Sequence, residues 1–122
     1  MTAQILDGAA LAQSMLDEMR VRIQALAGRG KVPGLGTILV GDDGPSAAYV
    51  AGKHADCAAI GMASVGIRLD ASATESEVLA AVDTMNDDPA VDSYLVQYPL
   101  PAGLDFEAVM AHVDPTKDAD GL

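Results

Sequence analysis

From Leu35 to Val40 the chain reads Leu-Gly-Thr-Ile-Leu-Val, an aliphatic and β-branched run in which no polar residue recurs at every second position. A strand with one wet face alternates. An unbroken apolar run suits a strand covered on both faces, as in parallel sheets flanked by helices. Such a strand needs helices on either side of it in sequence, and both are written there. Leu11, Met15, Met19, Val21, Ile23 and Leu26 carry helical spacing over residues 8–28, closed by Gly28 and Gly30. After the run comes a turn, Gly41-Asp42-Asp43-Gly44, then Pro45, a favoured first helical residue, and a helix over about 46–60 ending at Gly61.

The alternation continues. Residues 63–69 form a second strand. Thr74 and Glu77 make a capping box for a helix whose apolar face is Val78, Leu79, Val82 and Met85. Asn86 to Pro89 break it. Tyr94, Leu95 and Val96 form a third strand ended by Pro99 and Pro101, and 106–113 give a last short helix. The predicted fold class is therefore α/β: a three-layer-like domain with a short parallel sheet flanked by helices, helix first. Gly34-Leu-Gly36 reads as a turn before its strand. At 122 residues the chain holds one core, and with aromatics at only 3% that core must be aliphatic.

The formal net charge of −11, from 7 basic and 18 acidic residues, speaks against nucleic-acid and membrane partners, which require clustered Lys and Arg. Cys57 is the only cysteine, so an internal disulfide and a cysteine zinc cluster are excluded and a reducing, cytoplasmic setting is expected. No basic-then-apolar leader opens the chain, and no apolar run reaches about 18 residues. Cys57 and His112 read as structural, His54 takes no role, and two isolated histidines make no metal site.

In open α/β sheets ligands lie at the carboxyl ends of the strands. Two polar clusters follow strands directly, Gly41 to Lys53 and Gln97 to Pro101. At about 100° per residue, Ser46, Tyr49, Val50, Lys53, Cys57 and Ile60 share an arc of roughly 100°. Alanines fill the rest of the helix and would allow close approach by neighbours. A lysine among bulky apolar residues resists carrying its charge and can act as a base, while a tyrosine one turn earlier can hold a flat substrate over it. The alternative is a lysine whose stem covers apolar surface with its amine in water. Tyr-x-x-x-Lys also occurs in short-chain dehydrogenases, but the turn here lacks their glycine-rich fingerprint, and its two carboxylates would repel a pyrophosphate. Asp118 and Asp120 flank Ala119, so in an extended segment they point the same way, either toward a ligand or as a solvated acidic tail. Gln97 alone could be an ordinary polar residue at a strand end.

Three segments in order carry a resemblance: Val40-Gly-Asp-Asp-Gly-Pro-Ser-Ala-Ala-Tyr-Val-Ala-Gly-Lys53, Val96-Gln-Tyr-Pro-Leu-Pro101 and Pro115-Thr-Lys-Asp-Ala-Asp-Gly121. Together with Ile5-Leu-Asp-Gly8 they resemble the catalytic domain of the bifunctional methylenetetrahydrofolate dehydrogenase/cyclohydrolases, over essentially the whole chain. The resemblance implies that residues 1–122 are a folate-binding catalytic domain. It implies oxidation of 5,10-methylenetetrahydrofolate with NADP and hydrolysis of the methenyl product to 10-formyltetrahydrofolate, within one-carbon metabolism and purine biosynthesis. It assigns Lys53, Gln97 and Tyr49 to catalysis: Tyr49 stacks on the aminobenzoyl ring, Lys53 is the catalytic lysine and Gln97 hydrogen-bonds it. Asp120 grips the pterin edge, and Ser46, Val96, Tyr98, Pro99 and Asp118 lie against substrate. Tyr98 stands where the family pattern has leucine, and Ala9 where a lysine is common.

The family continues into an NADP-binding Rossmann domain that these residues do not include, so no cofactor-binding residue is expected here. Family members are homodimers, and the isolated domain is expected to be a monomer or weakly self-associating. Dehydrogenase activity is not expected of it alone. The alternative is a non-catalytic folate-binding or interaction module.

Overall fold

The unbroken run becomes the middle strand of the sheet. A computed structural model describes all 122 residues, Met1–Leu122. In chain order the elements are α1 (Gly8–Ala27), β1 (Gly34–Val40), α2 (Gly44–Ile60), β2 (Ala63–Leu69), α3 (Glu75–Asp87), β3 (Ser93–Val96) and α4 (Phe106–His112). The strands lie in the order β2-β1-β3, and β1 is parallel to both neighbours. Six of the seven β1 residues are buried, as a strand between two helical layers must be. The expected helix-first α/β order is the observed one.

The two faces of β1 serve different layers. Ile38 and Val40 join Val78, Val82 and Met85 of α3, Tyr94 and Val96 of β3, and Val109 of α4 in one core cluster. Thr37 and Leu39, alternate residues on the same strand, face the other way. On that side α2 buries Cys57 and Ile60, and α1 buries Ile23. β2 is an edge strand, and its residues alternate between half-buried and exposed.

Local chemistry sets the helix ends, with Thr74 and Gly61 in their expected roles. Asp7, Asp43, Thr74 and Asp105 cap the four helices, each accepting a backbone N–H three residues on. Thr74 and Glu77 form the full capping box. Gly61 ends α2 in the left-handed conformation at φ 83°.

Two expectations are corrected. Gly34 and Gly36 are not a turn but the first and third residues of β1, paired with Ala63 and Val65. Gly36 is needed because a Cβ there would lie 2.7 Å from the Cβ of Tyr94 and 2.8 Å from the Sδ of Met85. The alanine face of α2 is not closely packed either: Ala48, Ala51, Ala55, Ala58 and Ala59 are exposed. Most of the apolar residues that mark α1 as a helix are exposed too, among them Leu11 and Met15.

Candidate functional site

The site is assembled where β1 and β3 end. Gly41 leaves β1 with φ 93°, a conformation that disfavours any side chain, and turns the chain into α2. Asp43 caps that helix, and Pro45 sits in its first turn. This places Ser46 at the carboxyl edge of the sheet, with Tyr49 and Lys53 on successive turns behind it. Gln97 follows β3 directly and still pairs with β1, its N–H donating to the Ile38 carbonyl at 2.9 Å.

Lys53 is half-buried, and its Nζ lies 5.9 Å from the centroid of the Tyr49 ring, within cation–π reach. The four ion pairs of the molecule lie elsewhere, so Lys53 has no carboxylate partner. Tyr49 is 66% exposed, and its ring face is open to a flat ligand. The wheel placed Tyr49 with the buried residues of α2; Ser46, Cys57 and Ile60 of that arc are buried, but Tyr49 itself is left uncovered.

Ser46, by contrast, is 3% exposed. Its hydroxyl lies 2.6 Å from Asp43 Oδ2, and the same carboxylate oxygen accepts the Ser46 N–H at 3.0 Å. These contacts, the hydroxyl first, hold the Asp43 carboxyl below the usual carboxylate range. The Tyr98 carbonyl is 3.4 Å from the same hydroxyl and accepts the Gln97 side-chain N–H at 3.0 Å. Because the Tyr98 oxygen can only accept, the nitrogen of the Gln97 amide faces it, and Oε1 is left unspent. Gln97 makes no hydrogen bond with Lys53. The Tyr98–Pro99 peptide is cis, and the Tyr98 ring meets Phe106 edge-on at 5.1 Å. Val96 is buried in β3 and takes part in the core.

The Asp118–Asp120 segment reaches the sheet by a different route. Asp118 pairs with Tyr94 in a parallel bridge, with Tyr94 N donating to Lys117 O at 2.8 Å and Ala119 N to Tyr94 O at 3.0 Å. Asp118 and Asp120 do not act as an extended pair. Asp118 Oδ1 turns back to accept the N–H groups of Asp120 and Gly121 at 3.1 and 3.0 Å. Its carboxylate is thereby engaged by backbone, while that of Asp120 is exposed and unengaged. What sequence reading missed here is Lys117, whose amine binds the Met85 and Asp88 carbonyls at the end of α3 and anchors the segment. It also missed Asp43, although an aspartate three residues before Ser46 is a legible cap signal. His54, given no role, bonds Thr37 at 2.8 Å and ties α2 to β1.

A cavity of about 250 Å³ lies under α2, lined in part by Thr37, Leu39, Val50, His54, Ile67 and Arg68. It contains none of Tyr49, Lys53, Gln97 or Asp120, so the candidate site is the open carboxyl edge rather than this hollow. The edge is acidic, with Asp42, Asp43 and Asp70 at the ends of β1 and β2 and one exposed counterion, Arg68, 3.2 Å from Asp42. That charge does not suit the pyrophosphate of a dinucleotide.

The tetrahydrofolate dehydrogenase/cyclohydrolase catalytic-domain family matches residues 6–120. The bifunctional protein FolD of Syntrophotalea carbinolica is 50% identical over the whole chain, which covers 42% of that relative. The bifunctional FolD of Campylobacter jejuni superposes with a TM-score of 0.93 at 35% identity, over 97% of this chain and 42% of its own. The dehydrogenase-cyclohydrolase of Trypanosoma brucei, solved with NADP and an inhibitor, gives 0.95 at 34%, over 98% and 41%. The chain thus spans less than half the length of these relatives, and it belongs to the tetrahydrofolate dehydrogenase/cyclohydrolase family, whose catalytic domain it carries.

Proposed function

We propose that this chain is the folate-binding catalytic domain of an enzyme that oxidises 5,10-methylenetetrahydrofolate with NADP and hydrolyses the resulting methenyl compound to 10-formyltetrahydrofolate. The observation that carries this reading is the Tyr49–Lys53 pair at the sheet's carboxyl edge, an open ring face beside an amine with no ion-pair partner. Tyr49 stacks on the aromatic middle of the folate. The carboxylate of Asp120 matches the adjacent N–H donors of the pterin edge. Ser46, Val96, Tyr98, Pro99 and Asp118 shape the floor and the rim.

For hydrolysis, a water must be deprotonated as it attacks the cationic methenyl carbon. The Lys53 amine is the base that takes that proton, and the unspent Gln97 oxygen accepts a hydrogen bond from the amine or from the water. As the bond from the attacked carbon to N5 breaks, Lys53 returns the proton to N5 and the new hydroxyl on that carbon releases its own proton to solvent, leaving the formyl group on N10. NADP, the hydride acceptor of the oxidation, does not fit the residues present, because the acidic edge opposes its phosphates. We assign its binding to a further domain within the length that the relatives have beyond this segment. The buried free thiol of Cys57 suits a reducing cytoplasm. Self-association of this domain alone is weak or absent.

Calorimetric titration with a tetrahydrofolate derivative, alongside a methenyl hydrolysis assay, tests the reading. Asp120→Ala weakens binding by about tenfold or more, the loss of one charge-assisted contact. Lys53→Met retains binding and loses hydrolysis. Undiminished hydrolysis by Lys53→Met would overturn the assignment of the base, and intact binding with no hydrolysis by any form would favour a folate-binding module instead.

A further inference from the structure

The chain has three tyrosines, one phenylalanine and no tryptophan. Of these four rings, Tyr94 belongs to the core. The other three stand at the carboxyl edge of the sheet: Tyr49 on α2, Tyr98 two residues past the end of β3, and Phe106 at the start of α4. Tyr49 and Tyr98 are exposed, Tyr98 to 65%. Aromatic rings are the side chains a fold gains most by burying. A lone exposed ring needs no explanation, but two at one edge of a chain this poor in aromatics mark a place where a flat ligand completes the packing. Tyr98 is not a loose ring. Its carbonyl accepts from the Gln97 side chain at 3.0 Å and stands 3.4 Å from the Ser46 hydroxyl, which holds its backbone. Its ring meets that of Phe106 at 5.1 Å and 85°, and Phe106 is itself half-buried and packed against the core. An edge-to-face contact covers at most one face of Tyr98, so the other is open. Asp120 emerges at the same end of the sheet: Asp118 bridges Tyr94 in parallel, and Asp120 follows two residues on with its carboxylate unengaged.

We propose that Tyr98 is a specificity-determining residue, a second stacking platform that takes the face of the flat pyrimidine ring of the pterin, whose edge Asp120 grips. Tyr49 takes the aminobenzoyl ring, so the two exposed tyrosines divide the two aromatic units of one folate between them. Leucine, the residue of the family pattern at this position, offers contact area but no π face. This chain therefore holds the pterin by an interaction which that pattern lacks. The inference rests on the reading of this edge as a folate site.

Titration of the 122-residue chain with each half of the ligand separately tests this. One half is a tetrahydropterin without the aminobenzoyl unit, the other an aminobenzoylglutamate without the pterin, and tetrahydrofolate itself is the third probe. Tyrosine ring resonances and the heat of binding are followed. The pterin half shifts the Tyr98 ring protons and leaves those of Tyr49; the aminobenzoyl half does the reverse. Tyr98→Leu keeps the backbone contacts of the site. It weakens the pterin half and tetrahydrofolate about fivefold, the stacking share of an aromatic contact, with the aminobenzoyl half unchanged. Tyr98→Phe, which keeps the π face and drops the hydroxyl, binds both as the parent does. Undiminished binding of the pterin half by Tyr98→Leu, or a pterin shift at Tyr49 instead of Tyr98, overturns the inference. So does an equal weakening of the aminobenzoyl half, the mark of a general disturbance. Pterin shifts at Tyr98 together with undiminished hydrolysis by Lys53→Met would overturn the assignment of the base and leave the platform standing. No shift at either tyrosine would overturn the folate site and the platform together.

Discussion

At the residue scale, most of what the site needs depends on how single side chains spend their hydrogen-bonding capacity. Asp118 and Asp120 have the same chemistry and lie two residues apart, yet one is engaged by two backbone N–H groups and the other is free. An aspartate preceding a turn can bond its own backbone two residues on, and here that local option defeats the extended conformation expected from the sequence. Gly36 is a second case, decided by the absence of a side chain. An added Cβ at 2.8 Å from the Met85 sulfur could be relieved by a methionine rotamer, but the Tyr94 Cβ at 2.7 Å is fixed to the backbone of β3. Gly36→Ala must therefore push β1 and β3 apart, and we expect a loss of roughly 3 kcal/mol in urea-induced unfolding. A loss below about 0.5 kcal/mol would show that the strands yield cheaply. This requirement could not be read from the sequence, since what meets Gly36 comes from residues 85 and 94.

At the element scale the sequence was far more legible. The middle strand, the capping box at Thr74 and the glycine end of α2 rest on neighbours within a few residues, and the structure places them as expected. Burial depth was not legible, because a helical wheel gives an angle but not what stands opposite; Tyr49 has the predicted direction and no covering layer. The segment carrying Asp120 was least legible, because its order depends on α3. Lys117 supplies a cation where the carbonyls of α3 end, a position that the helix dipole favours. Its own carbonyl accepts from Tyr94 N and from the Ser93 hydroxyl at 3.0 Å. Lys117→Met should leave the carbonyls of Met85 and Asp88 without these donors and cost about 1–3 kcal/mol. Hydrogen exchange should accelerate at Ala119, which donates to Tyr94 O, while amides between β1 and β2 keep their protection. Unchanged exchange at Ala119 would show that the segment holds without its anchor.

For the whole molecule, one buried group links the core to the pH of the solvent. Tyr94 is fully buried at the junction of β3, α3 and the Asp114–Asp118 segment, and its hydroxyl donates to Asn86 Oδ1 at 2.6 Å. Burial first, and then the nearby Asp114 carboxylate, pushes its proton affinity up to about 12 from an ordinary value of 10. The raised value means that the folded chain keeps this proton after the unfolded chain has released it. Tyr94 therefore contributes stability that is complete below pH 10 and is lost as pH rises toward 12. Between those limits one proton sets a slope of at most about 1.4 kcal/mol per pH unit. Tyr94→Phe keeps the ring in the core and removes the titrating proton. Urea unfolding of the two proteins at pH 8, 10 and 11 should give stabilities that converge as pH rises, because only the parent loses the Tyr94 contribution. A constant gap across that range would mean that the hydroxyl does not titrate differently in the folded and unfolded chains, and that its bond to Asn86 is purely a packing contact.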